Sequence, residues 1–174
     1  MIVLLNGAFG IGKTSVARLL VRRLPDAVLY DPELVGIALQ RTLRIFGREV
    51  PDFQELRTWR RLTVASLRVM RLVRTNVIVP MAFSDAQLLQ EIRRGIDRFE
   101  PRQLHFCLVA PVEVVHERLR SRASAGAWEF RRAAECCDVH RDERFATHID
   151  AAQHTIDEVA DEILRKMTVD IRPR

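Results

Sequence analysis

The chain has 174 residues, of which 48% are apolar and 29% are charged, and its formal net charge is +5. This length and composition predict one domain, residues 1–174, with enough apolar side chains for a core on both sides of a sheet. No apolar stretch approaches the roughly 18 residues that a membrane span needs, so we expect no integral membrane segment and a cytoplasmic location. The three cysteines lack metal-binding spacing, and aromatic residues do not alternate with basic ones, which disfavours a nucleic-acid surface.

A short apolar segment, residues 2–5, precedes a sequence with G-x-x-x-x-G-K-T spacing, and a helical pattern follows as far as Leu24. This order of strand, loop and helix is what a phosphate-binding loop requires, because glycines let successive backbone N–H groups point at an anion. The lysine is expected to reach the β- and γ-phosphates of ATP, and the threonine hydroxyl to hold Mg²⁺. The predicted nucleotide site comprises Gly7, Ala8, Phe9, Gly10, Ile11, Gly12, Lys13 and Thr14.

Five apolar runs alternate with helical patterns, at residues 2–5, 27–30, 76–81, 104–110 and 148–150. Strands that alternate with helices predict an α/β fold in which a parallel sheet is covered by helices on both faces. Helix start signals support the same alternation. They are Asp31 before Pro32, Asp52 before Phe53, Ser84 before Asp85, Pro111 as a first helical residue, and Thr155 with Glu158 as a capping box.

Asp31 ends the second predicted strand, and ligands of open parallel sheets bind at the carboxyl ends of the strands. Its carboxylate could take the proton of an attacking hydroxyl or complete a Mg²⁺ shell through water. A second interpretation is that Asp31 only caps the helix that begins at Pro32, and the two roles are compatible. The third strand ends in Pro80, where many phosphate-loop proteins carry a metal-linked aspartate. The predicted metal ligands are therefore Thr14 and Asp31.

Arg118 and Arg122 share one helix face at the start of a small, polar segment, residues 121–126. We expect a lid over about 118–130 that closes on ATP, with these arginines near adenine and the transferring phosphoryl group. The alternative is a basic, solvated helix end. Trp59 and Arg60 are predicted to line an acceptor pocket, and the alternative is a half-buried tryptophan beside a surface arginine.

Beyond the phosphate loop, distinctive segments run in order along nearly the whole chain: 6–10, 30–33 with Gly36 and Leu39, 52–54 with Trp59 and Arg60, 78–81, 118–119 with Arg122, Trp128, and 148–150 through 159–160. Together they resemble the tunicamycin-resistance family of ATP-binding proteins. The resemblance implies a small phosphate-loop kinase, similar in fold to shikimate, chloramphenicol and nucleoside-type kinases, with sheet order 2-3-1-4-5. It also implies that adenine lies between Arg118 and residues 150–153. The chain lacks the D-G-x-P-R pattern of adenylate-type kinases.

Three functions compete at this point. The leading hypothesis is an ATP-dependent phosphotransferase acting on a hydroxyl of a small molecule, and the resemblance suggests a nucleoside-type antibiotic such as tunicamycin as the acceptor. The alternative is a non-catalytic, ATP-gated protein that binds and sequesters the antibiotic, which the missing acid on the third strand favours. A GTPase switch is disfavoured, because the chain has no N-K-x-D sequence and no D-x-x-G sequence after the third strand.

Overall fold

A computed structural model describes residues 1–50, 52–122, 125–145 and 147–170. The strands are β1 (Ile2–Gly7), β2 (Ala27–Leu29), β3 (Asn76–Met81), β4 (Gln103–Val109) and β5 (His148–Asp150). The helices are α1 (Lys13–Arg23), α2 (Pro32–Ile45), α3 (Arg57–Val73), α4 (Ala86–Asp97), α5 (Val112–Arg120), α6 (Ala127–Val139) and α7 (Ile156–Asp170). Single 3₁₀ turns occupy Phe53–Glu55 and Glu143–Phe145. The five strands lie where the apolar runs predicted them.

All five strands pair in parallel, and their order across the sheet is β2-β3-β1-β4-β5. This order confirms the α/β class and the topology that the resemblance implied. β1 lies at the centre, with Leu4 opposite Val79 on β3 and His105 on β4. Every residue of β1 is buried, because a central parallel strand is covered on both faces. The phosphate loop therefore begins at the middle of the carboxyl edge of the sheet.

Helices cover both faces of the sheet. Val3 and Leu5 belong to an apolar cluster with α1, α5, α6 and α7, whereas Ile2 and Leu4 belong to a second cluster with α3 and α4. This division follows from the two-residue period of a strand, which turns successive side chains to opposite faces. The cysteines are buried free thiols. In the part of the chain that the structure describes, no helix is long and apolar enough to cross a membrane.

Two helix starts match the predicted signals closely. The Oδ1 atom of Asp31 accepts a hydrogen bond from the backbone N–H of Glu33 at 3.0 Å, and this caps α2. Thr155 and Glu158 exchange the hydrogen bonds of a capping box before α7. Each cap satisfies backbone donors that the first turn of a helix leaves without a partner.

Two other starts are displaced by one residue from their predicted positions. Asp85, and not Ser84, caps α4 by accepting hydrogen bonds from two backbone N–H groups. Pro111 precedes α5 and is not its first helical residue. The start signals did not include α6, because Gly126 before it offers no capping side chain, and Glu129 reaches back to the Gly126 N–H instead.

Candidate functional site

The phosphate-binding loop joins β1 to α1 in a conformation that depends on glycine. Gly10 and Gly12 have φ angles of 84° and 109°, which residues with a Cβ atom rarely adopt. A Cβ atom on Gly10 would also lie 2.6 Å from the Leu119 side chain of α5. Gly12 precedes the first residue of α1, so the positive end of the helix dipole faces the loop. The loop is therefore shaped for an anion.

Lys13 lies inside this loop. Its Nζ atom donates a hydrogen bond to the carbonyl oxygen of Ala8 at 3.1 Å and lies 5.2 Å from the centre of the Phe9 ring. Burial lowers the pKa of Lys13 below its usual value, although the Glu33 and Asp31 carboxylates oppose that shift. A partly buried ammonium group gains from a bound anion, because the anion compensates for lost hydration.

Two carboxyl groups face Lys13 from the start of α2. Asp31 caps this helix and also lines the space next to the loop, so its two predicted roles are compatible in this geometry. Glu33 lines the same space and was missed by the sequence analysis. Burial raises the pKa of the Glu33 carboxyl above its usual value, and Lys13 partly offsets the effect. The D-P-E sequence at the end of β2 was the signal that could have identified it.

These residues enclose a space of about 110 Å³, which we call the phosphate cleft. Its lining comprises Phe9, Gly10, Gly12, Lys13, Thr14, Asp31, Glu33, Pro80 and Arg122. Hydroxyl and carboxylate oxygens of Thr14 and Asp31 suit Mg²⁺, which usually takes one or two protein oxygens together with substrate phosphates and water. No cluster of three or more potential metal-ligating side chains occurs among the described residues. A metal here would therefore depend on the nucleotide for much of its coordination.

The two predicted lid arginines occupy different positions. Arg118 donates hydrogen bonds to the carbonyl oxygens of Ile11 at 3.2 Å and Ala151 at 2.8 Å, so it joins the phosphate loop to the segment after β5. Arg122 is exposed and lines the phosphate cleft. Within the predicted lid, Ala123 and Ser124 lie outside the described residues. The closing motion of residues 118–130 remains a prediction.

A second space of about 600 Å³ adjoins the phosphate cleft, and we call it the side cavity. Phe9 and Glu33 line both spaces. The rest of its lining comes from α2, residues 52–54 and α6: Ile37, Gln40, Asp52, Phe53, Gln54, Trp128, Arg132 and Glu135. The ring centre of Trp128 lies 5.2 Å from that of Phe9 in an edge-to-face contact, and 52% of Trp128 is exposed. A molecule in the side cavity would touch the phosphate loop directly.

Comparison with known proteins connects this geometry to a family. A family model described as an AAA domain matches residues 2–143. The solved structure of the tunicamycin resistance protein of Deinococcus radiodurans is 32% identical, with a TM-score of 0.77 over 95% of this chain and 94% of that one. The chain belongs to the AAA domain family and to the tunicamycin-resistance family. A search of curated proteins found no match.

The tunicamycin-resistance family shares its fold with small-molecule kinases. A gluconokinase from Sinorhizobium meliloti is 17% identical, with a TM-score of 0.66 over 96% of this chain and 91% of that one. A shikimate kinase from Acinetobacter baumannii, solved with shikimate, is 19% identical, with a TM-score of 0.64 over 99% of this chain and 95% of that one. At these identities the likeness shows a common fold, that of phosphate-loop kinases.

Trp59 and Arg60, which were predicted to line an acceptor pocket, line neither the phosphate cleft nor the side cavity. Trp59 is 1% exposed, and its indole N–H donates a hydrogen bond to the carbonyl oxygen of Pro32 at 2.9 Å. Its ring packs against Phe53, which does line the side cavity. Arg60 donates to a carboxylate oxygen of Glu91 at 2.8 Å, on the side where α3 meets α4. Trp59 thus supports the cavity wall from behind. Arg60 is held by its ion pair with Glu91 and also lines a separate space of about 630 Å³ between α3 and α4, so its role in acceptor binding stays a prediction.

The segment after β3, where the usual acid is missing, is held by buried side chains. Asn6 exchanges two hydrogen bonds with the backbone of Phe83, at 2.9 and 3.1 Å. His140 at the end of α6 donates to the Phe83 carbonyl oxygen at 2.6 Å, and burial lowers its pKa to about 4. Gln54 donates to the carbonyl oxygen of Ala82 at 3.1 Å. This family member therefore uses an amide and a neutral imidazole to fix the segment beside the phosphate cleft.

Proposed function

We propose that this protein is an ATP-dependent phosphotransferase that acts on a hydroxyl group of a small molecule. The observation that carries the proposal is that Phe9 and Glu33 line both the phosphate cleft and the side cavity. A nucleotide in the cleft and an acceptor in the side cavity would meet at these two residues, as transfer between them requires. Membership in the tunicamycin-resistance family supports an antibiotic such as tunicamycin as a candidate acceptor.

The phosphate cleft supplies the nucleotide side of this reaction. The loop N–H groups and Lys13 would bind the β- and γ-phosphates of ATP, and Thr14 and Asp31 would hold Mg²⁺. When bound, Mg²⁺ would supply positive charge against the negative charge of the phosphates. Arg122 lies at the cleft, where its guanidinium group can stabilise the charge of the transferring phosphoryl group. Arg118 positions the loop against the segment after β5, where we propose that adenine binds.

Glu33 receives the proton in the transfer step. The acceptor hydroxyl oxygen bonds to the γ-phosphorus, its proton passes to a carboxylate oxygen of Glu33, and the bond from phosphorus to the departing ADP oxygen breaks. Burial raises the pKa of Glu33, which makes its carboxylate a stronger base than an exposed one. Asp31 remains the alternative base. Each carboxylate accepts one backbone hydrogen bond, Asp31 from Glu33 and Glu33 from Ala82, but only Glu33 also lines the side cavity.

A second candidate function is a protein that binds the antibiotic in an ATP-dependent manner without modifying it. The observation in its favour is that β3 ends in Pro80 and Met81, with no carboxylate at the place where many phosphate-loop enzymes hold the metal. A weakly held metal would favour binding over turnover.

One experiment separates these functions. The purified protein is incubated with ATP, Mg²⁺ and a panel of hydroxylated antibiotics that includes tunicamycin, and each compound is analysed by mass spectrometry. Addition of one phosphoryl group, with matching ADP release and no addition by Lys13→Ala, supports the phosphotransferase. Binding that requires ATP but leaves every mass unchanged supports the second function. If no compound of the panel is modified or bound, both functions are contradicted.

A further inference from the structure

The hydrogen-bond donors of the side cavity are largely engaged within the protein. Arg132 donates to carboxylate oxygens of Glu135 at 2.9 Å and Asp52 at 3.5 Å. The amide nitrogen of Gln54 donates to the Ala82 carbonyl oxygen at 3.1 Å, and that of Gln40 donates to the Val50 carbonyl oxygen. Acceptor oxygens are more available, because each carboxylate can take about four hydrogen bonds. The described lining therefore offers a ligand more acceptors than donors.

The charges of the described lining residues also disfavour an anionic ligand. Three carboxyl groups, those of Glu33, Asp52 and Glu135, share the cavity with one guanidinium group, that of Arg132. That guanidinium already forms ion pairs with two of the three carboxylates. A carboxylate or phosphate on a ligand would therefore meet uncompensated negative charge, and it would find no unengaged cation among the described lining residues.

An aromatic wall completes the cavity. The half-exposed Trp128 ring stands edge-on to Phe9, and Phe53 lines the cavity from the 3₁₀ turn that follows α2. Aromatic faces attract the apolar C–H face of a ring and also a cationic group. Aromatic surface combined with acceptor oxygens suits a ligand that has many hydroxyl groups on a ring.

On the basis of the proposed function, we infer that the acceptor is a polyhydroxylated ring compound without an anionic group, and that a protonated amine is its preferred substituent. Hydroxyl and ammonium groups would donate hydrogen bonds to the acceptor oxygens that predominate in the cavity, and the ammonium charge complements its carboxylates. The amine would lie near Glu135 and Asp52, and the reacting hydroxyl near Glu33.

A matched series of pyranoses tests this inference. Glucosamine in its ammonium form, glucose and glucuronate share one ring but differ in charge. Their binding is measured by NMR titration, with and without a non-hydrolysable ATP analogue. We expect glucosamine to bind about fivefold more tightly than glucose, as one partly exposed ion pair allows, and glucuronate to bind most weakly. The advantage of glucosamine should shrink as salt is added.

Two variants test whether the preference for glucosamine arises in the side cavity. Glu135→Gln removes one carboxylate and the shorter of the two ion pairs of Arg132, so it should reduce the preference for glucosamine and improve the binding of glucuronate. Glu117→Gln on α5 removes an equal charge from an exposed position outside the cavity and should leave the order unchanged. Glucuronate binding that equals or exceeds glucosamine binding overturns the inference, as does glucosamine binding no tighter than glucose, or no binding of any of the three.

The binding order of the three sugars can be tested independently of phosphate transfer. If the binding order holds but no phosphate is transferred to any acceptor, the proposed function fails and the ligand class stands. If phosphate is transferred to a compound that carries a carboxylate, and the binding order is reversed, the ligand class fails and the phosphotransferase stands.

Discussion

The phosphate cleft and the side cavity adjoin each other, yet they are built in different ways. One continuous segment, residues 7–14, supplies most of the cleft, and backbone geometry at Gly10 and Gly12 sets its shape. The side cavity draws its walls from α2, residues 52–54 and α6, which are far apart in sequence. Its polar side chains are held by one another, as in the contacts of Arg132 with Asp52 and Glu135.

If the proposed function holds, this difference assigns phosphate binding to the cleft and the selection of the acceptor to the side cavity. A cleft made from backbone groups recognises phosphate, which every nucleoside triphosphate carries, and it tolerates little variation. A cavity made from side chains on several elements can change its ligand when one side chain changes, without altering the loop. Substitutions that remove a phosphate-binding or proton-accepting group from the cleft should therefore lower turnover most, whereas those in the cavity wall should mainly alter the Michaelis constant of the acceptor. The following predictions test this division, from the largest effect to the smallest.

Lys13→Ala should lower turnover by about a hundredfold or more, because it removes the ammonium group from the transferring phosphates. The fold should persist, since burial lowers the pKa of Lys13 and its charge therefore does not favour folding. Steady-state kinetics and thermal unfolding measure the two effects. Lys166→Ala, at the chain's other lysine, is the control and should match the wild type. Full turnover in a folded Lys13→Ala protein would contradict the role of the loop.

Glu33→Gln should lower turnover on the order of a hundredfold while ATP still binds, because the amide cannot accept the proton. Asp31→Asn keeps a capping side chain and should act mainly through Mg²⁺, so added Mg²⁺ should restore part of its rate. Turnover by the wild type should fall as the pH drops through the raised pKa of Glu33. A normal rate for Glu33→Gln, with a slow and Mg²⁺-insensitive Asp31→Asn, would assign the base to Asp31.

Glu33 should also make the stability of the fold depend on pH, in a direction set by its raised pKa. Because burial raises its folded-state pKa, Glu33 contributes stability that is full below its ordinary pKa and is lost as the pH rises through the raised value. Glu33→Gln should therefore be at least as stable as the wild type at neutral pH, with a difference that shrinks in acid. Thermal unfolding across this pH range measures it, and a variant that is less stable at every pH contradicts the shift.

Gly36→Ala tests the wall of the side cavity. An added Cβ atom would lie 2.3 Å from Cδ2 of Phe53, so that ring must move, at a cost of about 1–3 kcal/mol. We expect the Michaelis constant of the acceptor to rise about tenfold, with little change for ATP. Gly95→Ala on α4 is a matched control, because its Cβ atom would lie 2.8 Å from Val64, away from the cavity. Equal kinetic effects of both substitutions would show that the wall has no specific role.

Arg122→Lys should have the smallest effect, a several-fold loss of turnover with nearly unchanged ATP binding, since lysine keeps the charge but loses the planar fork. Segment 121–126 should also become resistant to proteolysis when an ATP analogue and an acceptor bind together. Cleavage that is equal with and without ligands, combined with unchanged turnover, would identify Arg122 as an ordinary surface charge.

The features that could be predicted from the sequence are those that depend on residues close together along the chain. The five strands, the phosphate loop and the cap at Asp31 each follow from a short pattern, and the resemblance supplied the strand order. The side cavity was not predicted, because no capping side chain marks the start of α6 in the sequence. In addition, Trp128 and Arg132 of this helix meet residues of α2 and 52–54, which lie far earlier in the chain. Trp59 was predicted to line an acceptor pocket together with Arg60, but its ring is buried and its N–H donates a hydrogen bond to the Pro32 carbonyl oxygen, which no pattern of neighbouring residues indicates.

The contrast between the two tryptophans has a practical consequence. The chain contains two, and Trp59 is 1% exposed whereas Trp128 is 52% exposed in the side cavity. Indole emission shifts with the polarity around the ring, so Trp128 reports on the contents of the cavity while Trp59 provides a constant background. Replacement of Trp59 by phenylalanine would leave Trp128 as the single tryptophan, in contact with Phe9 of the phosphate loop. The arrival of each ligand could then be followed in real time by intrinsic fluorescence, without a label.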